Sequence, residues 1–226
     1  MLRDGRRPRG VVFDLDGTLT DNMGLHARAF ERFCARHGLP PLTPAQRRRY
    51  DGKRNRDIFP DLLGRELAPH ELRALVDEKE SLYRELSAGR LLPLPGLVRL
   101  LELLRRRQLP VAVATSAPAE NVPHTLRELG LLHEFPRVAR SDEVPHGKPA
   151  PDVYLAAAER LGRPPGDCLA FEDAPLGVAA ALSAGLTCVA VTTSFDEAGF
   201  AAHGPAPDAC VPDYAAWLER FGAWLA

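Results

Sequence analysis

GVVFDLDGTLTDN, residues 10–22, opens as an apolar run and stops at two aspartates, Asp14 and Asp16, with only Leu15 between them. GVVFDL (10–15) reads as a strand buried on both faces. In an open parallel sheet, ligands bind beyond the carboxyl ends of the strands. If the strand continued, a spacing of two would put both carboxylates on one face. Gly17 and Thr18 then suggest a tight turn after them. Two neighbouring carboxylates repel each other unless a cation lies between them or one takes a proton. The alternative reading is an Asx-turn that closes the strand.

The rest of the chain repeats the pattern. Residues 111–115 (VAVAT), 137–141 (RVARS), 168–172 (CLAFE) and 187–192 (TCVAVT) read as further buried strands. Helical patterns cover Gly96–Gln108, about 119–129, Pro151–Leu161, Pro175–Ala184 and about 214–225. Alternating strands and helices predict an α/β fold, a Rossmann-like parallel sheet core. About 95 residues separate the first two strands, far more than one crossover needs. Ala29, Phe30, Phe33 and Cys34 fall at helical spacing. So do Leu72, Leu75, Val76, Leu82, Tyr83 and Leu86. A small α-helical domain inserted over 20–90 is therefore expected, with the core formed by 1–19 and 91–226. The proline-rich LLPLPG at 91–96 would be its return hinge.

The 226 residues are 45% hydrophobic and 26% charged with a formal net charge of −1, the make-up of a soluble globular protein. That balance gives no reason to expect nucleic acid or membrane as a partner. No stretch approaches the roughly 20 apolar residues of a membrane helix, and the arginine-rich start is not followed by a signal-peptide core. Cys34, Cys168, Cys188 and Cys210 show no CxxC spacing, so a reducing cytoplasm without disulfides is expected. The reading is of a cytoplasmic monomer.

Three more stretches carry chemistry. Glu172 and Asp173 end the CLAFE strand. Helix capping is one reading of Asp173, and a second pair of carboxylates for a hard cation is the other. Mg²⁺ suits such a set, because it takes few carboxylates and fills its shell with water and phosphate. Thr115 and Ser116 end another strand before a helix, where hydroxyls and backbone N–H groups suit a phosphate, though turn chemistry alone accounts for such a pair. Lys148 stands in a loop stiffened by Pro149 and Pro151. Of the 29 Lys and Arg residues only Lys53, Lys79 and Lys148 are lysine. A position that keeps lysine in so arginine-rich a chain is one where a compact ammonium has a use. Lys79 lies on an apolar stripe, either snorkelling to water or pointing into a cleft.

FDLDGTLTDN, ATS, GKPAPDVY and FEDAPLGVAAALSAG resemble, in that order, the four motifs of the haloacid dehalogenase superfamily, over essentially the whole chain. The insertion resembles the α-helical cap of its phosphatase and β-phosphoglucomutase branch. The resemblance implies that Asp14 attacks phosphorus and becomes an aspartyl phosphate. Asp16 would protonate the leaving oxygen and then activate water. Thr115 or Ser116 would bind phosphate oxygens, and Lys148 would screen nucleophile and phosphate. Asp14, Asp173 and the backbone carbonyl of Asp16 would hold Mg²⁺, with Glu172 as ligand or support. An acid at Asp16 suits a phosphate ester rather than a halide leaving group. Lys79 matches a cap lysine of the mutases and sugar phosphatases, and His26 a histidine found near the acid/base in β-phosphoglucomutases, with a core or surface position as the other reading of His26. YDGKRNRDIF (50–59) is similar to the cap's substrate loop, where the mutases carry an arginine for a second phosphate. Asn55 takes that place here, flanked by Lys53, Arg54 and Arg56, which could bind an anionic group on the substrate or be merely solvated.

The function expected is a Mg²⁺-dependent phosphatase of a small phosphorylated metabolite, a sugar phosphate. The alternatives are a β-phosphoglucomutase, a phosphonoacetaldehyde hydrolase using a cap lysine such as Lys53, and a non-enzymatic phospho-switch. A receiver-type switch lacks both the helical insertion and the second acid.

Overall fold

The computed structural model describes residues 2–225. Its centre is a six-stranded sheet of β1 (Gly10–Phe13), β2 (Val111–Thr115), β3 (Val138–Arg140), β4 (Cys168–Glu172), β5 (Thr187–Val191) and β6 (Ala209–Val211). Every pairing is parallel and the order is β3-β2-β1-β4-β5-β6. This is the α/β, Rossmann-like sheet expected from the alternating pattern. The chain lays β2 and β3 to one side of β1, then crosses to place β4, β5 and β6 on the other. The topological switch point therefore lies between β1 and β4, where such sheets bind ligands.

The alternation of side chains along β1 divides the core. Val11 and Phe13 face one apolar cluster, built with α5 (Leu97–Arg106), α6 (Asn121–Glu128) and α10 (Tyr214–Phe221). Val12 faces a second, built with α7 (Asp152–Leu161), α8 (Pro175–Ser183) and α9 (Glu197–His203). Leu97, Leu100, Leu101 and Leu104 are all buried, which is why α5 forms so regular an amphipathic helix. Phe13 stacks on Phe171, and Phe171 meets Tyr214 and Trp217 edge-on, which ties the middle strands to α10.

Between β1 and α5 the chain forms α1 (Met23–Arg36), α2 (Pro44–Tyr50), α3 (Asn55–Leu63) and α4 (Pro69–Ser87). A capping box starts α2: Thr43 Oγ1 accepts from the Gln46 backbone N–H, and the Gln46 side chain accepts from Thr43 N–H. These helices share their own apolar cluster, with Phe30, Phe33, Phe59, Leu82 and Tyr83 buried in it. No helix among the described residues is long and apolar enough to cross a membrane. All four cysteines are free.

The structure departs from the sequence reading in three places. β1 ends at Phe13, so Asp14 and Asp16 lie in the turn beyond it and not on one strand face. The KRNRDIF stretch is largely helix, because α3 begins at Asn55. β6 and α9 were not anticipated: β6 is a three-residue edge strand between prolines, too short to show an alternation.

Candidate active site

The register sets the site. Phe13 pairs with Val113 on one side and Phe171 on the other, and Asp14 N–H still donates to Phe171 carbonyl at 3.0 Å. Asp14 and Glu172 therefore emerge side by side at the switch point. A third carboxylate, Asp173, joins them. One oxygen from each of these three buried residues lies within 4.8 Å of the others. Gly17 makes this approach possible. Its φ is +77°, and a Cβ there would run into the Asp173 carboxylate.

Lys148 is the one ammonium among them. Its Nζ donates to Asp14 Oδ1 at 2.6 Å and to Glu172 Oε1 at 2.5 Å. Burial works against the charge, but Asp14 and Glu172 overcome it and raise the Lys148 pKa above its ordinary value. Glu172 is saturated. Oε1 also accepts from Tyr154 OH at 2.8 Å, and Oε2 accepts from the backbone N–H groups of Asp173 and Ala174. It can hold Lys148 and the turn into α8 but has little left for a cation. Asp173 is not the helix cap; Ala174 occupies that position. The Asp173 carboxylate accepts from Ser194 Oγ and from Thr18 Oγ1.

The charges do not balance. Burial first, then repulsion from Glu172 and Asp16, pushes the Asp14 carboxyl up to about 7 despite Lys148. Burial and the neighbouring Glu172 and Asp14 hold Asp173 well above the carboxylate range. Crowded, dehydrated carboxylates with a single ammonium are the donor set that a hard divalent cation neutralises. Asp14, Asp173 and the Asp16 carbonyl could hold one.

Asp16 faces away from this cluster. Its Oδ1 accepts from Asn22 Nδ2 at 2.6 Å, while Asn22 Oδ1 accepts from Gly17 N–H at 2.9 Å and so braces the turn. His26 Nε2 lies 3.6 Å from Asp16 Oδ2, longer than a hydrogen bond. The other ring nitrogen, Nδ1, lies 3.0 Å from Lys79 Nζ. An ammonium only donates, so Nδ1 accepts and the ring proton sits on Nε2, toward Asp16. The ring stacks on Tyr83 with centroids 3.7 Å apart. Burial opposes the Asp16 charge, but His26, Asn22 and Lys79 outweigh it and lower its pKa. The two aspartates of the opening motif are thus tuned in opposite directions, the usual mark of divided labour.

A cavity of about 330 Å³ lies over these residues, closed on its far side by α1–α4. Thr115, Ser116, His26, Lys53 and Lys79 line it together with Asp14, Asp16, Lys148 and Asp173. Thr115 Oγ1 accepts from Ala117 N–H at 3.0 Å. Ser116 Oγ donates to the Gly52 carbonyl at 2.8 Å, a direct tie between the sheet and the helical insertion. Lys79 does not snorkel. Its head is buried, bonded to Glu80 Oε1 at 2.9 Å and 4.4 Å from the Phe30 ring centroid. Arg54 and Arg56 are not among the lining residues; both donate to the Pro145 carbonyl, beside the cavity. Asn55 does line it and donates to Glu80 Oε1 at 2.8 Å.

Several lining or supporting residues escaped the sequence reading. Thr193 and Ser194 follow β5 and reach the site, a position the strand-end rule would have flagged. Asn22, Tyr83 and Glu80 gave no local signal, because their roles arise from contacts across 61 residues for Asn22–Tyr83 and 25 for Asn55–Glu80.

The sequence matches the family model described as haloacid dehalogenase-like hydrolase over residues 8–185. It is 35% identical over 187 residues to the fructose-1-phosphate phosphatase YqaB of Escherichia coli strain K12, covering 82% of this chain and 97% of that protein. It is 32% identical over 191 residues to the β-phosphoglucomutase of Bacillus subtilis strain 168, covering 81% and 83%. Among solved structures, a family IA, variant 3 HAD hydrolase from Entamoeba histolytica superposes with a TM-score of 0.82 at 27% identity, covering 92% of this chain and 94% of its own. The family match begins before β1 and runs past α8, so Asp14, Asp16, Lys148 and Asp173 all fall inside it, and the chain belongs to the haloacid dehalogenase-like hydrolases.

Proposed function

We propose that the protein is a Mg²⁺-dependent phosphatase of a small phosphorylated metabolite, a sugar phosphate, acting through an aspartyl phosphate on Asp14. The observation that carries this is the separation of the two aspartates. Asp14 faces Lys148 and the acidic cluster, while Asp16 is turned toward Asn22 and His26 on the side of the helical insertion. A phosphoryl group on Asp14 would leave Asp16 toward the departing oxygen, placed to give it a proton and later to take one from water. Thr115 and the backbone N–H groups after β2 would receive phosphate oxygens. Lys148 works against the burial that favours protonated Asp14 and would offset the charge brought in by phosphate. Mg²⁺ on Asp14, Asp173 and the Asp16 carbonyl would supply further positive charge to the phosphate oxygens. Helices α1–α4 act as the cap that excludes water and shapes the leaving-group space.

The names of the relatives, phosphatases among them, support the reading. A mutase needs a grip for a second phosphate. The arginines beside Asn55 are turned to the Pro145 loop, which favours release of phosphate over its return to a sugar. The test is a panel of phosphorylated metabolites with Mg²⁺. Free phosphate from hexose or hexitol monophosphates is expected, and free phosphate rather than glucose-6-phosphate from β-glucose-1-phosphate. Glucose-6-phosphate as the main product would establish the mutase instead, and no release above the metal-free control would remove both.

The cation also has a pH signature. Asp14 keeps its proton up to about 7 without metal, so between its ordinary carboxylate range and that point the folded protein binds more protons than the unfolded chain. For this group, stability is therefore lost as pH rises through that window, and a cation that displaces the proton restores it. The Mg²⁺-induced rise in Tm is expected to grow from about pH 5 to about pH 8. Scanning fluorimetry reads it, and an increment that shrinks with pH would contradict the assignment.

A further inference from the structure

Arg54 has the chemistry of an anion receptor but is spent on something else. It precedes α3, and its backbone carbonyl accepts from Asp57 and Ile58 N–H, so the first helical turn fixes it. Nε and Nη2 donate to the Asp57 carboxylate at 2.7 and 3.2 Å. Nη1 reaches the carbonyls of Ser141 and Pro145 at 3.4 and 3.3 Å. Those two residues belong to the loop between β3 and α7 that also carries Lys148. The arginine stem lies directly on that loop: a Cβ on Gly147 would meet Arg54 Nε at 2.5 Å and Cδ at 2.9 Å. A side chain on Gly147, one residue before Lys148, would force the Arg54 side chain to shift. For an arginine it is deeply covered, with its side chain 13% exposed.

We propose that Arg54 is a positioning residue that couples closure of the cap to the seating of Lys148 against Asp14. The inference rests on the phosphatase reading for its kinetic consequence but not for its structural one. With the cap shut, the planar fork joins Asp57 on the cap to two carbonyls of the Lys148 loop. With the cap open, those carbonyls lose their partner and the loop loses the weight of the side chain on Gly147. Lysine at this position keeps the charge but not the fork. Catalytic alignment then depends on closure, because Lys148 stands between Asp14 and Glu172 only while its loop is held.

The chain's three lysines make this directly readable. Reductive methylation and then peptide mass spectrometry are applied to the full chain and to Arg54→Ala and Arg54→Lys. Lys148 is expected to label about fivefold faster or more in both variants, as local opening of its loop becomes easier. Lys79, whose partners His26, Glu80 and Phe30 all lie in the cap, is expected to stay protected. With p-nitrophenyl phosphate and with a hexose monophosphate alike, kcat is expected to fall roughly 10- to 100-fold while KM changes little. Arg54→Lys carries the test if Arg54→Ala does not fold. Wild-type labelling of Lys148, a rise shared equally by Lys79, or an unchanged kcat would each overturn the proposal. So would a loss confined to the KM of substrates with a second anionic group, since that is what an anion receptor would give. If the wild type turned over no phosphate ester, the labelling result would still decide the role of Arg54, and only the phosphatase reading would fail.

Discussion

Asp14→Asn is expected to lower phosphate release by about ten-thousand-fold or more, the scale seen when a nucleophile is removed from a concerted site. The amide has nearly the same shape but no charge with which to attack phosphorus. The change leaves Lys148 its second partner, Glu172, at 2.5 Å, so the loop stays anchored. It also removes one of the crowded carboxylates whose charge burial disfavours. The variant should therefore be folded, with a Tm at or above that of the wild type in the absence of metal. Steady-state phosphate release with Mg²⁺, beside a thermal melt, checks both halves. A loss of less than about tenfold would mean that Asp14 does not carry the reaction.

Asp16→Asn is expected to act differently on different leaving groups. With a sugar phosphate the leaving alkoxide needs a proton, and kcat should fall roughly 10²- to 10⁴-fold, the usual range for a lost general acid. With p-nitrophenyl phosphate the leaving phenolate departs without one. The first step should then survive while activation of water is lost, and a burst of p-nitrophenol before a slow phase is expected in rapid-mixing experiments. Equal slowing of both substrates with no burst would show that Asp16 supports the fold of the turn, through Asn22, and not proton transfer.

Much of the core could be read from the chain. VAVAT and CLAFE form strands over the stretches expected, because a strand buried on both faces is written as a nearly continuous apolar run. The strand-end rule pointed to Asp14, Thr115 and Glu172 for the same reason: strand register fixes where the residues at a strand's carboxyl end emerge. It did not separate the roles of Glu172 and Asp173. That difference depends on Tyr154 and on two backbone N–H groups that saturate Glu172, contacts made only after α7 has packed. The direction of Asp16 was equally hidden, since Asn22 and His26 turn it away from a spacing that a longer strand would have imposed. Arg54 and Arg56 show the limit of reading charge alone. Their sequence neighbourhood resembles a substrate loop, but α3 turns both onto the Pro145 carbonyl. Lys79 carried a real signal, a charge on an apolar stripe, and its partners were beyond reach because His26 lies 53 residues away.

Phosphate is expected to pass through a covalent bond to Asp14. The most direct measurement is mass spectrometry of the Asp16→Asn variant, acid-quenched during turnover of p-nitrophenyl phosphate with Mg²⁺ and digested. One added phosphoryl group is expected, on the peptide that contains Asp14, formed at the rate of the burst and absent when Asp14 is also changed to asparagine. No added phosphoryl group during a burst, or one placed on any other residue, would contradict it.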